Sequence, residues 1–420
     1  MRNPLVITLA LGASLLGPAA SAGVWTVAGS GPADFTQIAD AVAAAQDGDL
    51  ILVGVPAGGG YAGFTIDGKG LVVSTMNPGA GMSTGAITIK NLAAGQTVVL
   101  RGLVATAPAS PPASGLRVLD CAGTVRTEEC YFTGSSPTAL GAVGRSGISC
   151  TNAASLVLFY TSVDGGRGAS SDTNDWNAMD GGPGLFLEDS TAWVHWGQVR
   201  GGNGGSHFDP DILPTENFQC GDGAPGAFLY ENATLTCAGT TFSGGNGGSQ
   251  IIGADKSYGG PGVTLWDGLL RQRDNHYVPG TGTQKHAISP DIATVQPEAV
   301  ETSTTLARRL ITDSPRHEFE TLHLKVQGQG GDQALLVLGF GPHAQWFSGL
   351  QGGLLVNPLG AALLPLGTVP LAGEKTFNFT VPSLPAGLEH VELYLQLAIA
   401  IQGHTTLENT STVVLLDATL

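Results

Sequence analysis

Acidic side chains concentrate in three glycine-rich segments near the middle of the sequence. The first segment follows "GGRG" at residues 165–168, and the other two follow "GGNGG" at residues 201–205 and 244–248. The first two segments contain the aspartates Asp172, Asp175, Asp180, Asp209, Asp211 and Asp222. Ca²⁺ takes about six to eight oxygen ligands, many of them carboxylates. We therefore predict that these aspartates bind Ca²⁺, provided that the fold brings the segments together.

Other polar and aromatic residues of the same region suit the binding of a ligand. We assign a binding face to Asp164, Arg167, Trp176, Arg200, His207, Asp255 and Lys256. The rings of Trp193, Trp196 and Trp266 offer further flat faces on which a sugar can stack. The alternative for each aspartate is a turn-forming role, because Asp beside Gly hydrogen-bonds its own backbone. His195 has no acidic neighbour in the repeat, which favours a packed or surface histidine over a catalytic base.

These segments belong to a repeat. A block of glycine, an apolar residue, any residue and another apolar residue begins at Gly115, Gly147, Gly184, Gly226 and Gly262, at intervals of 32 to 42 residues. Each copy continues with a second and a third strand-like run. Self-similarity at this period is typical of a solenoid or a propeller. Three short strands per copy predict one coil of a parallel β-helix, since a propeller blade has four strands.

Equivalent residues of successive coils should stack inside such a solenoid. One predicted ladder is Leu116, Ile148, Leu185, Ala227 and Val263. A second is Val118, Cys150, Leu187, Leu229 and Leu265, and the third runs contribute Phe132, Val163, Val199, Phe242 and Val278. Glycine follows each third run, and we expect it to adopt positive φ there and to start a loop. The loops 167–182, 202–224 and 245–260 should then pack side by side as one acidic surface.

The segment at residues 34–73, "DFTQIADAVAAAQDGDLILVGVPAGGGYAGFTIDGKGLVV", combines a short helix with strands. Phe35, Ile38 and Val42 lie on one helical face, and Asp34 with Gln37 predicts a capping box. The segment resembles the opening of right-handed β-helix proteins of the pectate-lyase-like superfold. The resemblance implies an all-β fold, with a right-handed parallel β-helix of about seven coils closed by this helix. It implies no single function, because the superfold hosts lyases, hydrolases, adhesins and proteins without known activity.

The N-terminus has the features of a secretory signal peptide. A short basic start precedes an apolar run at residues 4–18, and Ala20-Ser21-Ala22 matches a cleavage site. The run is shorter than a membrane span requires, which favours a signal peptide over a membrane anchor. We therefore predict cleavage after Ala22 and export to the medium or the cell surface. We expect no membrane span in the remaining chain.

The composition limits the kinds of partner. The chain has 420 residues, 63 of them glycine, and a formal net charge of −16. Nucleic acids and anionic membranes select basic surfaces, so we predict no nucleic-acid partner. An acidic exported chain is compatible with divalent cations and with glycans. We expect its partner to be an extracellular polysaccharide or a cell-surface component.

The pattern changes after Gly280. We predict the β-helix over residues 23–280, a polar linker over 281–303 and a small antiparallel β-sandwich over 304–420. The last assignment follows from strand-like runs that alternate apolar and polar residues. This C-terminal region resembles domains of secreted bacterial repeat proteins that serve export or surface attachment.

The five cysteines allow two disulfide bonds in an oxidising compartment. Their spacing predicts a bond between Cys121 and Cys130 and another between Cys220 and Cys237. Cys150 falls on a ladder position, so we predict a buried, unpaired thiol.

Three functions remain open from the sequence. The first is a non-catalytic protein that binds glycan, and Ca²⁺ as well, through its loops. The second is a polysaccharide lyase, which would add an Arg or Lys base to the Ca²⁺ site, or a glycoside hydrolase, whose inverting form holds two carboxyl groups about 6.5–9.5 Å apart. The third is a structural envelope protein. We favour the first, because the paired aspartates or fixed arginines of enzymes in this superfold are not recognisable here.

Overall fold

A computed structural model describes residues 22–77, 79, 81–171, 177–207, 219–249, 257–282, 292–294, 300–303, 305–347, 350, 352–401 and 404–420. Nearly all regular structure among them is β-strand, and the helix α1 (Ile38–Ala44) has seven residues. No helix in these ranges is both long and apolar enough to cross a membrane. Apart from Ala22, the predicted signal peptide lies outside the described residues.

Parallel strands fill the chain from residue 24 to residue 303. Most of them are short: β1 Val24–Val27, β2 Leu50–Val53, β3 Phe64–Asp67, β4 Leu71–Thr75, β5 Met82–Thr84, β6 Ile87–Lys90, β7 Thr97–Arg101, β8 Leu103–Thr106, β10 Tyr131–Thr133, β12 Ser162–Asp164, β13 Leu185–Glu188, β14 Thr191–His195, β15 Gln198–Arg200, β17 Thr241–Ser243, β19 His276–Val278, β20 Ile292–Thr294 and β21 Val300–Ser303. Longer strands turn a corner of the stack: β9 Leu116–Glu128, β11 Ile148–Phe159, β16 Ala227–Ala238 and β18 Val263–Arg273.

These strands form three faces, each made of parallel neighbours from successive repeats. Face 1 contains residues 64–67, 87–90, 116–119, 148–151, 185–188, 227–230, 263–266 and 292–294. Face 2 contains residues 24–27, 50–53, 71–75, 97–101, 124–128, 155–159, 191–195, 234–238, 269–273 and 300–303. Face 3 contains β5, β8, β10, β12, β15, β17 and β19.

The predicted core ladders are confirmed with one exception. Leu116, Ile148, Leu185, Ala227 and Val263 are register partners and fully buried. The ladder through Cys150 also pairs as predicted. On face 3 the prediction of Val278 is wrong, because Phe242 pairs with Tyr277. The two rings stack with centroids 5.7 Å apart, and Val278 is 40% exposed. An aromatic residue of matching size therefore takes the inner position.

The N-terminal helix covers the first coils, as its pattern predicts. Its apolar face is buried, with Ile38 in the main core. The predicted capping box is wrong: Gln37 occupies the N-cap but makes no side-chain cap. The Asp34 carboxylate is occupied elsewhere, since it accepts hydrogen bonds from the amide and the hydroxyl of Thr26, both at 2.8 Å.

The segment predicted as a linker belongs partly to the parallel stack. Within residues 281–303, β20 and β21 both pair with β18 in parallel. The polar composition of this segment does not indicate these strands, because a terminal coil exposes much of its surface to solvent. Val300 of β21, for example, is 40% exposed.

The C-terminal region is mainly antiparallel. Its strands are β22 Arg309–Thr312, β23 Arg316–His317, β24 Thr321–Gln327, β25 Gln333–Gly339, β26 Pro342–Phe347, β27 Gly352–Val356, β28 Ala362–Thr368, β29 Glu374–Thr380, β30 His390–Ile401 and β31 His404–Leu416. They form sheets in the order β22-β24-β29, β23-β31-β30-β25-β28 and β26-β27. The first two sheets contribute to one hydrophobic core, which contains Leu324 and Leu397.

This region packs on the outer side of face 2, and we call the contact the junction. Leu50 and Val99 of face 2 share an apolar cluster with Tyr394 and Val414. Further along face 2, Trp193 stacks on Trp346 of β26 with ring centroids 6.4 Å apart.

Buried charges occupy the middle of the junction. Glu128 bonds Arg101 at 3.1 Å, also pairs with Arg126, and accepts the amide of Thr412 at 2.8 Å. Arg126 in turn donates to the carbonyl oxygen of Thr410 at 2.7 Å. Face 2 side chains thus bind backbone groups of β31, which fixes the position of the C-terminal region on the stack.

Candidate functional site

The glycine-rich loops pack in series, and we call residues 165–171, 177–184, 201–207, 219–226, 244–249 and 257–262 the loop stack. Outgoing and returning segments alternate in one run of backbone hydrogen bonds. The amide of Gly182 donates to Gly166, Gly202 to Gly182, Ala224 to Gly202 and Gly245 to Ala224, at 2.8 to 3.0 Å. The described parts of the predicted loops therefore lie side by side.

The reason for the glycines differs from the predicted one. The glycine clusters of the loop stack do not have positive φ. A Cβ on Gly202 would instead lie 2.0 Å from the carbonyl oxygen of Gly166, and one on Gly245 would lie 1.9 Å from that of Gly202. Glycine is required because the backbones of neighbouring loops touch, leaving no room for a side chain.

Asp180 and Asp222 are the predicted metal ligands that the structure describes. Asp180 Oδ1 accepts the amide of Asp222 at 2.7 Å, and Asp222 Oδ1 accepts the amide of Tyr258 at 2.8 Å. Burial, reinforced by the charge of Asp180, raises the pKa of Asp222. Among the described residues no group of three or more His, Cys, Asp or Glu side chains can hold a metal ion.

The other predicted ligands Asp172, Asp175, Asp209 and Asp211 lie outside the described residues. The two described aspartates each use one oxygen to fix the next loop. These hydrogen bonds join different loops and not residues of one turn, so the turn-forming role and Ca²⁺ binding both stay predictions.

The predicted binding face separates into distinct places. Asp164 and Arg200 are register partners at the end of face 3, with Arg200 Nη1 3.9 Å from Asp164 Oδ1. Arg167 donates to Ser206 of the next loop at 3.0 Å, and His207 is fully buried in the loop stack. Trp176, Asp255 and Lys256 lie outside the described residues.

Asp164 also accepts the hydroxyl of Tyr131. Burial, followed by this hydrogen bond, raises the pKa of Tyr131, so its phenol keeps its proton at neutral pH. A protonated phenol is a poor base for proton abstraction from a sugar. The cluster therefore acts as a polar end to face 3.

The cysteines do not follow the predicted pairing. All five lie in the described residues and none forms a disulfide bond, so the Cys121–Cys130 and Cys220–Cys237 predictions are wrong in this structure. The Cys121 thiol donates to the carbonyl oxygen of Leu119, with the sulfur 3.2 Å from the oxygen. The Cys130 thiol donates to the carbonyl oxygen of Glu128 at the same distance. Each side chain therefore packs inside its own corner of the coil.

Cys237 belongs to the main core, whereas Cys220 lies in the loop stack. The prediction of Cys150 as a buried unpaired thiol is confirmed, and burial raises its pKa to about 12.

A row of aromatic rings runs across the outer side of face 1, and we call Phe186, Phe228, Tyr230 and Trp266 the aromatic strip. Adjacent centroids are 5.9 Å apart for Phe186 and Phe228 and 6.3 Å apart for the next two pairs. Trp266 is 47% exposed, and the other three are half-buried. Of these four residues, only Trp266 was predicted from the sequence as a ring on which a sugar can stack. The alignment of the repeat blocks could have identified the other three rings. It places Phe186 opposite Phe228 and Tyr230 opposite Trp266.

Acidic and amide side chains line the corner between faces 1 and 2, beside the strip. Asp120, Asn152, Asp189 and Asn232 all have positive φ, which Asp and Asn tolerate better than most residues. Asn152 donates to Asp120 at 2.8 Å, and Asn232 donates to Asp189 at 3.1 Å. These residues line a groove of about 410 Å³, which we call the corner groove. It presents several carboxylate and amide oxygens to solvent.

Comparisons with known proteins give little beyond this description. No family model matches the chain, and no curated protein matches its sequence. An arginine-to-alanine mutant of the PL6 family alginate lyase AlyGC is 12% identical over 68% of this chain, with a TM-score of 0.30. This chain spans 39% of that protein. The enzymatically active domain of tailspike protein 2 of bacteriophage CBA120 is 10% identical over 95% of this chain and 73% of its own length, with a TM-score of 0.26.

Proposed function

We propose that the protein is an exported glycan-binding protein whose binding face is the aromatic strip. The observation that carries this proposal is the continuous row of four rings on the outside of face 1. A contiguous outward row of aromatic rings marks an interaction site, because single exposed apolar residues are common on proteins whereas contiguous apolar patches are rare. Aromatic rings suit sugars, whose C–H groups form an apolar face that can lie flat on a ring.

The corner groove supplies the polar half of such a site. Sugar hydroxyls require acceptors, and the carboxylates of Asp120 and Asp189 are available at the groove beside amide groups. Binding sites for small ligands combine aromatic lining with a few polar groups in this way. Because parallel strands lie about 4.8 Å apart, a strip that crosses them matches an extended chain better than a compact ligand.

This assignment moves the proposed site from the loops to face 1. In the loop stack the backbones use most of their hydrogen-bonding groups on each other, and Asp180 and Asp222 bond neighbouring loops. The strip, by contrast, ends in the exposed ring of Trp266. Turnover of the glycan has no comparable support among the described residues.

The proposal is tested on a polysaccharide array followed by affinity electrophoresis in gels that contain the best ligand. We expect Trp266→Ala to weaken binding at least about tenfold, because the substitution removes the most exposed ring of the strip. Phe340→Ala is the matched control, since Phe340 is 53% exposed but lies in the C-terminal region. A wild-type protein that retains no glycan, or equal retention of the Trp266→Ala variant, would overturn the proposal.

A further inference from the structure

A cavity of about 470 Å³ lies at the junction, beside the last strands of face 2. Its volume falls within the range of about 300–1,000 Å³ that is usual for small-ligand sites. The residues that face 2 contributes include His195, Thr236, Arg271, Arg273 and Glu301. The C-terminal region contributes Trp346, Gly352, Gly353, His404 and Leu407. The cavity is therefore formed by both regions together.

Three of the lining residues are almost fully buried and hold polar atoms without a partner. His195 is 5% exposed, and Thr236 and Arg273 are each 6% exposed. Among the described residues, nothing hydrogen-bonds the two ring nitrogens of His195, Oγ1 of Thr236 or Nη1 of Arg273. A buried polar group without a hydrogen-bond partner destabilises the folded state. These four atoms belong to residues that line one cavity, where a single polar ligand would satisfy them together.

The spare hydrogen-bond donors around the cavity favour an anionic acceptor. Arg271 is paired with Glu301 at 2.9 Å and Arg273 with Glu408 at 2.5 Å, yet Arg273 keeps its second terminal nitrogen as a spare donor. Burial, followed by the positive charges of Arg273 and Arg126, lowers the pKa of His195 to about 3. The imidazole is therefore neutral and offers one N–H donor. A carboxylate accepts several hydrogen bonds, and those from a charged donor such as Arg273 are strong.

We propose that this cavity binds a small molecule through a carboxylate group, which accepts hydrogen bonds from Arg273 Nη1, the Thr236 hydroxyl and a His195 N–H. The glycines of β27 let this strand approach Trp193 and β31 closely beside the cavity. A Cβ on Gly353 would lie 2.1 Å from the Trp193 ring, and one on Gly352 would lie 2.4 Å from a backbone oxygen of Leu407. This site is separate from the aromatic strip and does not depend on glycan binding there.

The full-length protein is titrated by calorimetry with acetate, D-glucuronate and D-glucose. We expect glucuronate to bind at least about tenfold more tightly than glucose, because only glucuronate carries the charged acceptor. The acetate arm distinguishes a simple carboxylate ligand from a sugar acid. In the ¹⁵N spectrum of the His195 ring, the carboxylate should shift at least one nitrogen resonance, whereas glucose should not.

Two variants test whether the carboxylate binds in this cavity. Thr236→Val removes a donor at nearly constant volume, and Arg271→Gln removes a charge whose side chain is 21% exposed, so both should fold. We expect each to weaken glucuronate binding by about fivefold to tenfold. Arg145→Gln is the control, because Arg145 is exposed in the loop that precedes β11 and belongs to no proposed site. The proposal is overturned if neither carboxylate binds at about 10 mM, if glucose binds equally well, or if both variants bind as the wild type does.

Discussion

Backbone groups hold the loop stack together, whereas buried charged side chains hold the junction together. In the loop stack, amides and carbonyl oxygens of neighbouring loops bond at about 2.8 Å, and the close approach leaves no room for a Cβ. In the junction, Arg101 and Arg126 each donate to Glu128, and both arginines also donate to backbone oxygens of β31. The first region is therefore sensitive to added volume, and the second is sensitive to lost charge.

The largest expected effect is at the centre of the junction. Glu128→Gln should lower the free energy of unfolding by about 3–5 kcal/mol, because it leaves Arg126 buried without its counter-charge. Urea unfolding followed by tryptophan fluorescence measures the change. Asp67→Asn is the control, since the Asp67–Lys90 pair is exposed and should contribute nothing measurable. Equal midpoints for the two variants would show that the junction charges do not stabilise the fold.

A smaller loss is expected in the loop stack. Gly245→Ala should lower the free energy of unfolding by about 1–3 kcal/mol, because its Cβ would lie 1.9 Å from the carbonyl oxygen of Gly202 and the loops must separate. Thermal unfolding and limited proteolysis of the loops measure the effect. Gly58→Ala is the matched control, since nothing lies within 4 Å of its Cβ position. A Gly245→Ala variant that melts with the Gly58→Ala variant contradicts close loop packing.

The two regions also differ in what the sequence could predict. The loop stack was located correctly, because its glycines and the third strands before them recur at a fixed offset. Its physical cause was mistaken, since sequence alone does not distinguish a glycine that bends from one that touches another backbone. The core ladders were predicted because a buried apolar residue must stack on its counterpart. The prediction of Val278 failed because Tyr277, whose ring stacks on Phe242, occupies the inner position.

The junction could not be predicted at all. Its contacts join residues far apart in sequence, such as Arg126 with Thr410 and Arg273 with Glu408. No periodicity relates a face 2 side chain to β31. For the same reason, His195 could be recognised as a packed residue but not as the wall of a cavity. The disulfide predictions failed on similar grounds, because spacing along the chain does not show which corner each thiol occupies.

The carboxyl group of Glu392, beside Tyr394 of the junction, makes stability depend on pH. Burial raises the pKa of Glu392 to about 7, and Tyr394 donates to its carboxylate at 2.9 Å. Because the folded pKa lies above the unfolded value, the native state holds the proton longer and stability falls as pH rises from about 4.5 to about 7. Glu392→Gln keeps the acceptor for Tyr394 and should remove up to about 3 kcal/mol of this fall.

His195 produces the opposite slope, since its folded pKa is lowered and its contribution is lost as pH falls below about 6.5. The difference between wild type and Glu392→Gln cancels this background. Chemical unfolding at pH 4.5 and pH 8 measures both proteins. An identical pH dependence in the two would contradict a protonated Glu392 in the folded state.

The smallest effect concerns Asp222, where the two interpretations of the loop carboxylates can be separated. If Asp222 serves mainly as an acceptor for the Tyr258 amide, Asp222→Asn should leave stability nearly unchanged, because the amide oxygen can replace the carboxylate oxygen. Asp222→Ala should then cost roughly 1 kcal/mol, since the Tyr258 amide loses its partner. If the loops bind Ca²⁺, wild type should melt higher in Ca²⁺ than in chelator, and Asp222→Asn should lose that increment. Paired thermal melts of the three proteins decide the role of this residue, and an Asp222→Asn variant as unstable as Asp222→Ala in chelator would contradict the backbone-acceptor role.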